Sequence, residues 1–219
     1  MSQKILIFGN IGQTGMVYSK YQLSPWENKK CAVIVAHPDD ETLWAGGIML
    51  LHPETEWTVI SICRKSDLDR APKFFRALEL FNAKGAMGDI DDGPDQEILN
   101  SRQIQSEIMS LLSSNRFDLI ITHSQYGEYT RHLRHEETAE AVMTLWKSER
   151  IISKQLWQFA YEDGGGKYLP RAIKDADIKI DLSEELWQKK YKIITKVYNF
   201  APESFEARLT PSKEAFWCL

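Results

Sequence analysis

The chain predicts an α/β fold: a mainly parallel sheet flanked by helices on both faces. Three observations carry the prediction. Short apolar runs alternate along the chain with longer amphipathic stretches. The run at residues 31–36 (Cys-Ala-Val-Ile-Val-Ala) has no polar interruption, as expected of a strand covered on both faces. The longer stretches carry apolar residues at helical spacing, for example Phe74, Ala77, Leu78 and Phe81.

Taken in order, the elements are these. Residues 1–30 read as an extra strand or N-terminal extension. Within them, residues 4–15 run as a strand into Gly-x-x-Gly-x-x-Gly. Strands follow at 31–36, 57–63, 117–122 and 155–161, with helices at 42–51, 69–82, 100–113, 136–147 and 183–199. Residues 89–95 form an acidic turn, and residues 162–174, with Gly164-Gly165-Gly166 and Pro170, a flexible loop. Strand–helix alternation on this scale makes the architecture Rossmann-like. With 219 residues and 43% hydrophobic content the expectation is a single domain, residues 1–219.

Composition narrows the function classes. A net charge of −4 gives no general attraction for nucleic acid or an anionic membrane. No stretch approaches the roughly 20 apolar residues of a membrane span. The cysteines Cys31, Cys63 and Cys218 are odd in number, widely spaced and without a CxxC pair, which fits a reducing compartment. The opening Met-Ser-Gln-Lys lacks a signal-peptide pattern, so the expectation is a cytoplasmic protein. A homo-oligomer is left open.

The chemistry gathers at two strand ends. His37-Pro38-Asp39-Asp40-Glu41 directly follows the first buried strand, where ligands bind in open α/β sheets. His37 and Asp40 are good zinc ligands, and a catalytic zinc takes three protein ligands and a water. Asp39 is then a spare carboxylate beside the metal, able to take a proton from water. Alone, the cluster serves equally well as a helix cap, because acidic residues suit a first helical turn. The second cluster tips the balance. After the strand at 117–122, residues 123–137 hold three of the five histidines. His132 and His135 stand at i, i+3 spacing, which on a helix shares one face. One completes a metal site and the other reaches a substrate carbonyl.

The unbroken Ala36-His37-Pro38-Asp39-Asp40-Glu41 after a strand, with the later Gly127-Glu128-Tyr129 and His132-x-x-His135, resembles the LmbE/PIG-L family of zinc-dependent N-acetylglucosaminyl deacetylases. The resemblance spans most of the chain from about Cys31. It implies a zinc-dependent hydrolase that removes the N-acetyl group from an amino sugar or glycoconjugate. His37, Asp40 and His135 resemble its zinc ligands and Asp39 its general base. His132 resembles the histidine that stabilises the oxyanion. Arg70, Asp92 and Tyr129 resemble substrate-binding residues, with Tyr126 a substitute for Tyr129. The second motif departs from the family's Gly-His-Pro-Asp-His at Leu133 and Arg134, so a histidine's carboxylate partner must come from elsewhere; Glu136 and Glu137 are candidates. Trp44, Trp157 and Tyr168 join the tyrosines as candidate sugar-stacking residues.

Two other readings compete. The N-terminal glycines resemble a dinucleotide-binding turn, which would make the chain a nucleotide-binding oxidoreductase or a sugar-binding protein using that loop. A catalytically silent relative is the third.

Overall fold

The computed structural model describes residues 28–219 except 94 and 96, together with the backbone of residues 3–8 and 14–19. Its centre is a strand with no exposed face. In β3 (Lys30–Val35), Cys31, Val33 and Val35 pack into one core and Ala32 and Ile34 into the other. That two-sided burial is why the segment reads as an uninterrupted apolar run.

β3 pairs in parallel with β4 (Glu56–Cys63) on one side and β6 (Arg116–Thr122) on the other. Beyond them lie β5 (Lys84–Ile90) and β7 (Ile152–Phe159), also parallel, giving the order β7-β6-β3-β4-β5. Past β7 the sheet continues antiparallel through β11 (Lys213–Cys218), β10 (Ile178–Leu182), β2 (Thr14–Ser19) and β1 (Gln3–Phe8). Four strands of the parallel half, β3, β4, β6 and β7, match the predicted strands. The antiparallel extension was not foreseen.

Helices cover both faces. Side chains of α1 (Asp40–Leu51), α2 (Arg70–Leu80) and α5 (Glu184–Lys192) share one core; those of α3 (Ser101–Leu111) and α4 (Leu133–Lys147) share the other. α1 is buried along its whole length, and its glycines permit this. A Cβ on Gly47 would sit 2.5 Å from Leu182 Cδ2 and 2.8 Å from Glu214 Oε1. Instead the Gly47 and Ile48 amides donate to Glu214, whose charge is met by the fully buried Lys190 at 2.7 Å.

Three expectations change. The helix placed at 183–199 ends at Lys192 and continues as a π-helical turn, Ile193–Val197. The loop at 162–174 is bounded by a two-residue strand at each end, β8 (Tyr161–Glu162) and β9 (Arg171–Ala172), paired with each other. The dinucleotide-binding reading is overturned in form. Such a turn needs a helix after the first strand, whereas β1 is followed by the antiparallel β2, with Gly15 inside that strand between Ile7 and Leu182. Residues 9–13, with the first two glycines, lie outside the described residues.

The edge strand β5 was missed because its sequence, KGAMGDI, is weakly apolar. Its glycine is a packing requirement: a Cβ on Gly85 would meet Val59 O at 2.2 Å. The remaining short helix is α6 (Phe205–Leu209). Among the described residues no helix is long and apolar enough to cross a membrane.

Candidate metal centre and active-site cleft

The chain leaves β3 toward β4 on one side and places β6 on the other, so a crevice opens between β3 and β6 at their carboxyl ends. The segment from His37 to Asp40 follows β3, Arg64 follows β4, Asp92 follows β5, and residues 123–135 follow β6. One cleft is lined by His37, Asp39, Asp40, Arg70, Asp92, Tyr129 and His132. His135, the remaining predicted metal ligand, stands outside this lining, fully buried behind it.

Helix capping does not explain the carboxylates. Asp39 is the N-cap of α1, but its side chain makes no cap hydrogen bond. Asp40 points back: Oδ2 accepts from the His37 amide at 2.9 Å and Oδ1 from Trp44 Nε1 at 3.2 Å.

Three donor atoms converge. His37 Nδ1 lies 3.2 Å from His135 Nε2 and 3.2 Å from Asp40 Oδ2, and His135 Nε2 lies 3.3 Å from the same oxygen. The outer nitrogens decide the tautomers. His37 Nε2 donates to Asp92 Oδ1 at 3.0 Å, and His135 Nδ1 to Glu128 Oε2 at 2.7 Å. In the neutral rings the inner nitrogens therefore present bare lone pairs to each other and to a carboxylate oxygen. That contact is repulsive unless a proton or a metal cation lies among them, and carboxylate–histidine pairs of this kind hold metal-ligating imidazoles. The anionic surroundings act in the same sense. Burial opposes protonation of His37 and His135, yet Asp40 and the outer carboxylates raise both above the ordinary imidazole range. A buried histidine–aspartate group compatible with a metal ion is thus present, and His132 and His123 extend it.

Glu128 supplies the missing carboxylate partner. It also accepts from His123 Nδ1 at 3.0 Å and from the Ser124 amide at 2.9 Å. His123 in turn accepts the Ala36 amide at 3.0 Å and stacks on His135 at 4.0 Å between ring centroids. Neither Glu136 nor Glu137 takes that part. Glu137 pairs with Arg134, one of the departures from the family pattern. Arg134 is fully buried and donates to the carbonyls of Asp91 and Glu97, while Glu137 accepts the Leu99 amide. The substituted arginine thereby ties down the loop that carries Asp92.

Asp92 has both oxygens engaged, one by His37 and the other by Arg64 at 2.7 Å. Burial would raise its carboxyl, but the His37 and Arg64 contacts hold it down at about 2. Asp39 differs. Burial, then the Asp40 charge, push it well above the carboxylate range, against the pull of Arg70, whose guanidinium approaches at 3.4 Å. Burial and the adjacent His135 and His37 lower His132 to about 3, so it stays neutral. Its Nδ1 is buried and has no hydrogen-bond partner among the described residues. His132 is the N-cap of α4 and stacks on His135 with centroids 4.3 Å apart.

Tyr129 faces the cleft, whereas Tyr126 is 88% exposed outside it. Trp44 and Trp157 belong to the core. Arg64, Phe205 and Glu206 line the cleft and were not anticipated; they lie on segments without any motif of their own.

Fold and site together define an α/β protein with a buried histidine–carboxylate centre at the carboxyl ends of its parallel strands. Residues 32–146 match the GlcNAc-PI de-N-acetylase (PIG-L) family, more than half of the chain, and the chain belongs to that family. A protein of Acanthamoeba polyphaga mimivirus described as uncharacterized is 22% identical over 184 residues, 77% of this chain and 75% of its own. Among solved structures, the N,N'-diacetylchitobiose deacetylase of Pyrococcus horikoshii superposes with a TM-score of 0.65 at 14% identity, covering 87% of this chain and 84% of that one. The zinc-inhibited form of a teicoplanin deacetylase gives 0.58 at 14% identity, covering 82% and 90%. The 4-carboxy-2-hydroxymuconate hydratase of Pseudomonas putida gives 0.57 at 14% identity, covering 87% and 96%. At this identity the likeness is one of fold.

Proposed function

We propose that the chain is a zinc-dependent N-deacetylase that releases acetate from an N-acetylated amino sugar of the N-acetylglucosamine type, free or within a glycoconjugate. The observation that carries this is the triangle of His37 Nδ1, His135 Nε2 and Asp40 Oδ2, with sides of 3.2, 3.3 and 3.2 Å. Tetrahedral ligands about 2.0–2.1 Å from a zinc stand about 3.3 Å apart. The donor set fits as well: two imidazoles and a carboxylate, with the cleft side left open for water or substrate.

A zinc ion held there lowers the pKa of water and polarises a carbonyl. The rest is the work of this chain. Asp39, raised by burial, accepts the proton of the attacking water. His132, neutral at working pH, offers its ring to the developing oxyanion. The proton held by Asp39 then passes to the amide nitrogen as the C–N bond breaks, giving acetate and a free amine. Arg70 and Tyr129 line the cleft where the sugar would lie. Asp92 acts through His37.

The hydratase neighbour shows that this fold accommodates more than one reaction, so the test must read the products. N-acetyl amino sugars and nucleotide-linked N-acetyl sugars are screened for acetate release with and without chelator. The expected result is chelator-sensitive release and about one zinc per chain, lost in His37→Ala. Release that persists unchanged in Asp39→Ala removes the proposed base, and no release from any N-acetyl sugar removes the activity.

A further inference from the structure

We propose that Glu41 and residues 198–200 form a brace that holds Asp39 from both ends, making Glu41, Tyr198 and Phe200 positioning residues for the proton transfer. This rests on the reading of Asp39 as the base.

Asp39 has a backbone that needs holding. Its φ is 119° and ψ −29°, a region that non-glycine residues avoid, and no cap hydrogen bond of its own compensates. What compensates is Glu41. Its Oε2 accepts the Asp39 amide at 3.0 Å, while Oε1 accepts from the Tyr198 hydroxyl at 2.7 Å and from Thr42 Oγ1 at 2.5 Å. Glu41 is fully buried, and no cation is paired with it among the described residues. A buried carboxylate without a cation is costly. What the carboxylate adds is an acceptor for the Asp39 amide.

The other end of Asp39 leads to the same place. Arg70 approaches its carboxylate at 3.4 Å, and the Arg70 guanidinium lies over the Phe200 ring at 4.4 Å from the centroid. Tyr198 and Phe200 flank Asn199, whose φ is +61°, directly after the π-helical turn Ile193–Val197. The Tyr198 and Phe200 amides donate to Ile193 and Ile194 carbonyls at 3.0 and 3.2 Å. A π-helical turn is an uncommon device that recurs at functional sites. Here it delivers two aromatic residues, one to each support of Asp39.

The test uses Tyr198→Phe, which removes the hydroxyl and keeps the ring, and Glu41→Leu, which removes the acceptor. In Tyr198→Phe the expected kcat for acetate release falls about three- to tenfold, one ordinary hydrogen bond. In Glu41→Leu it falls roughly 10- to 100-fold, as a misplaced base does. KM stays within about twofold and zinc content is unchanged. In an Asp39→Asn background, Tyr198→Phe leaves the residual rate alone, because the group it positions is gone. An equal fall in both backgrounds, or an unchanged kcat in Tyr198→Phe, overturns the brace. Crystal structures of both variants give a readout independent of turnover. Asp39 should leave the positive-φ region or lose its Arg70 contact in Glu41→Leu; if both persist there, the brace fails even where the deacetylase reading also fails.

Discussion

The two histidines of the candidate metal centre are oriented by the same device built in two ways. His135 is held by Glu128, seven residues earlier in the loop after β6, and that carboxylate is itself fixed by His123 and the Ser124 amide. His37 is held by Asp92, 55 residues away on the loop after β5. Asp92 keeps its place through the half-exposed Arg64 and, at the root of its loop, through Arg134 and Glu137. One side is local and dry; the other is assembled from three strand ends. A deeply buried carboxylate with several donors tolerates little change, whereas a tethered loop distributes the same duty over separable contacts.

The two sides should differ most at Glu128. Glu128→Ala leaves two buried imidazole N–H groups without an acceptor, with an expected loss of about 2–5 kcal/mol in urea unfolding. Zinc affinity should fall roughly 10- to 100-fold in a competition titration. Arg134→Met comes next. It strands Glu137 and frees two carbonyls of the Asp92 loop, with an expected cost of about 2–3 kcal/mol and a smaller loss of zinc affinity than Glu128→Ala. If Arg134→Met costs more zinc affinity than Glu128→Ala, the ranking of the two sides is reversed.

The smallest effect is one of pH. In the metal-free protein Asp92 sits near 2 against an ordinary value of 3.8, so its folded-state pKa is depressed. A depressed carboxylate contributes stability that is fully present above its unfolded value and lost as pH falls through the folded one. Urea midpoints measured between pH 5 and pH 2 should therefore decline less steeply in Asp92→Asn than in the natural protein. Identical slopes would remove Asp92 from the linkage.

Legibility followed the same division. The His37–Asp40 cluster and the histidine pair could be read because each is short in sequence and follows an apolar run. Whether the two aspartates capped a helix or faced a cleft could not, since both uses favour the same residues at the same place. Glu128 was in plain view between glycine and tyrosine, but nothing local tells a carboxylate which of several histidines it will meet. The loss of Pro and Asp from the second motif left a histidine without a carboxylate partner in its own motif. In the folded chain Arg134 turned out to anchor the loop that serves His37.

By itself the sequence determined four of the five parallel strands, the helices on the sheet's faces and the pairing of chemistry with strand ends. Apolar periodicity is a property of neighbouring residues, and burial on one face or two writes it directly into the chain. The tertiary structure alone decided the antiparallel extension, the glycine-bearing edge strand β5, and the carboxylate that serves each histidine. These depend on which strand ends lie side by side and how closely backbones approach. A glycine under Val59 or an aspartate beside His37 carries no mark of its partner until the chain has folded.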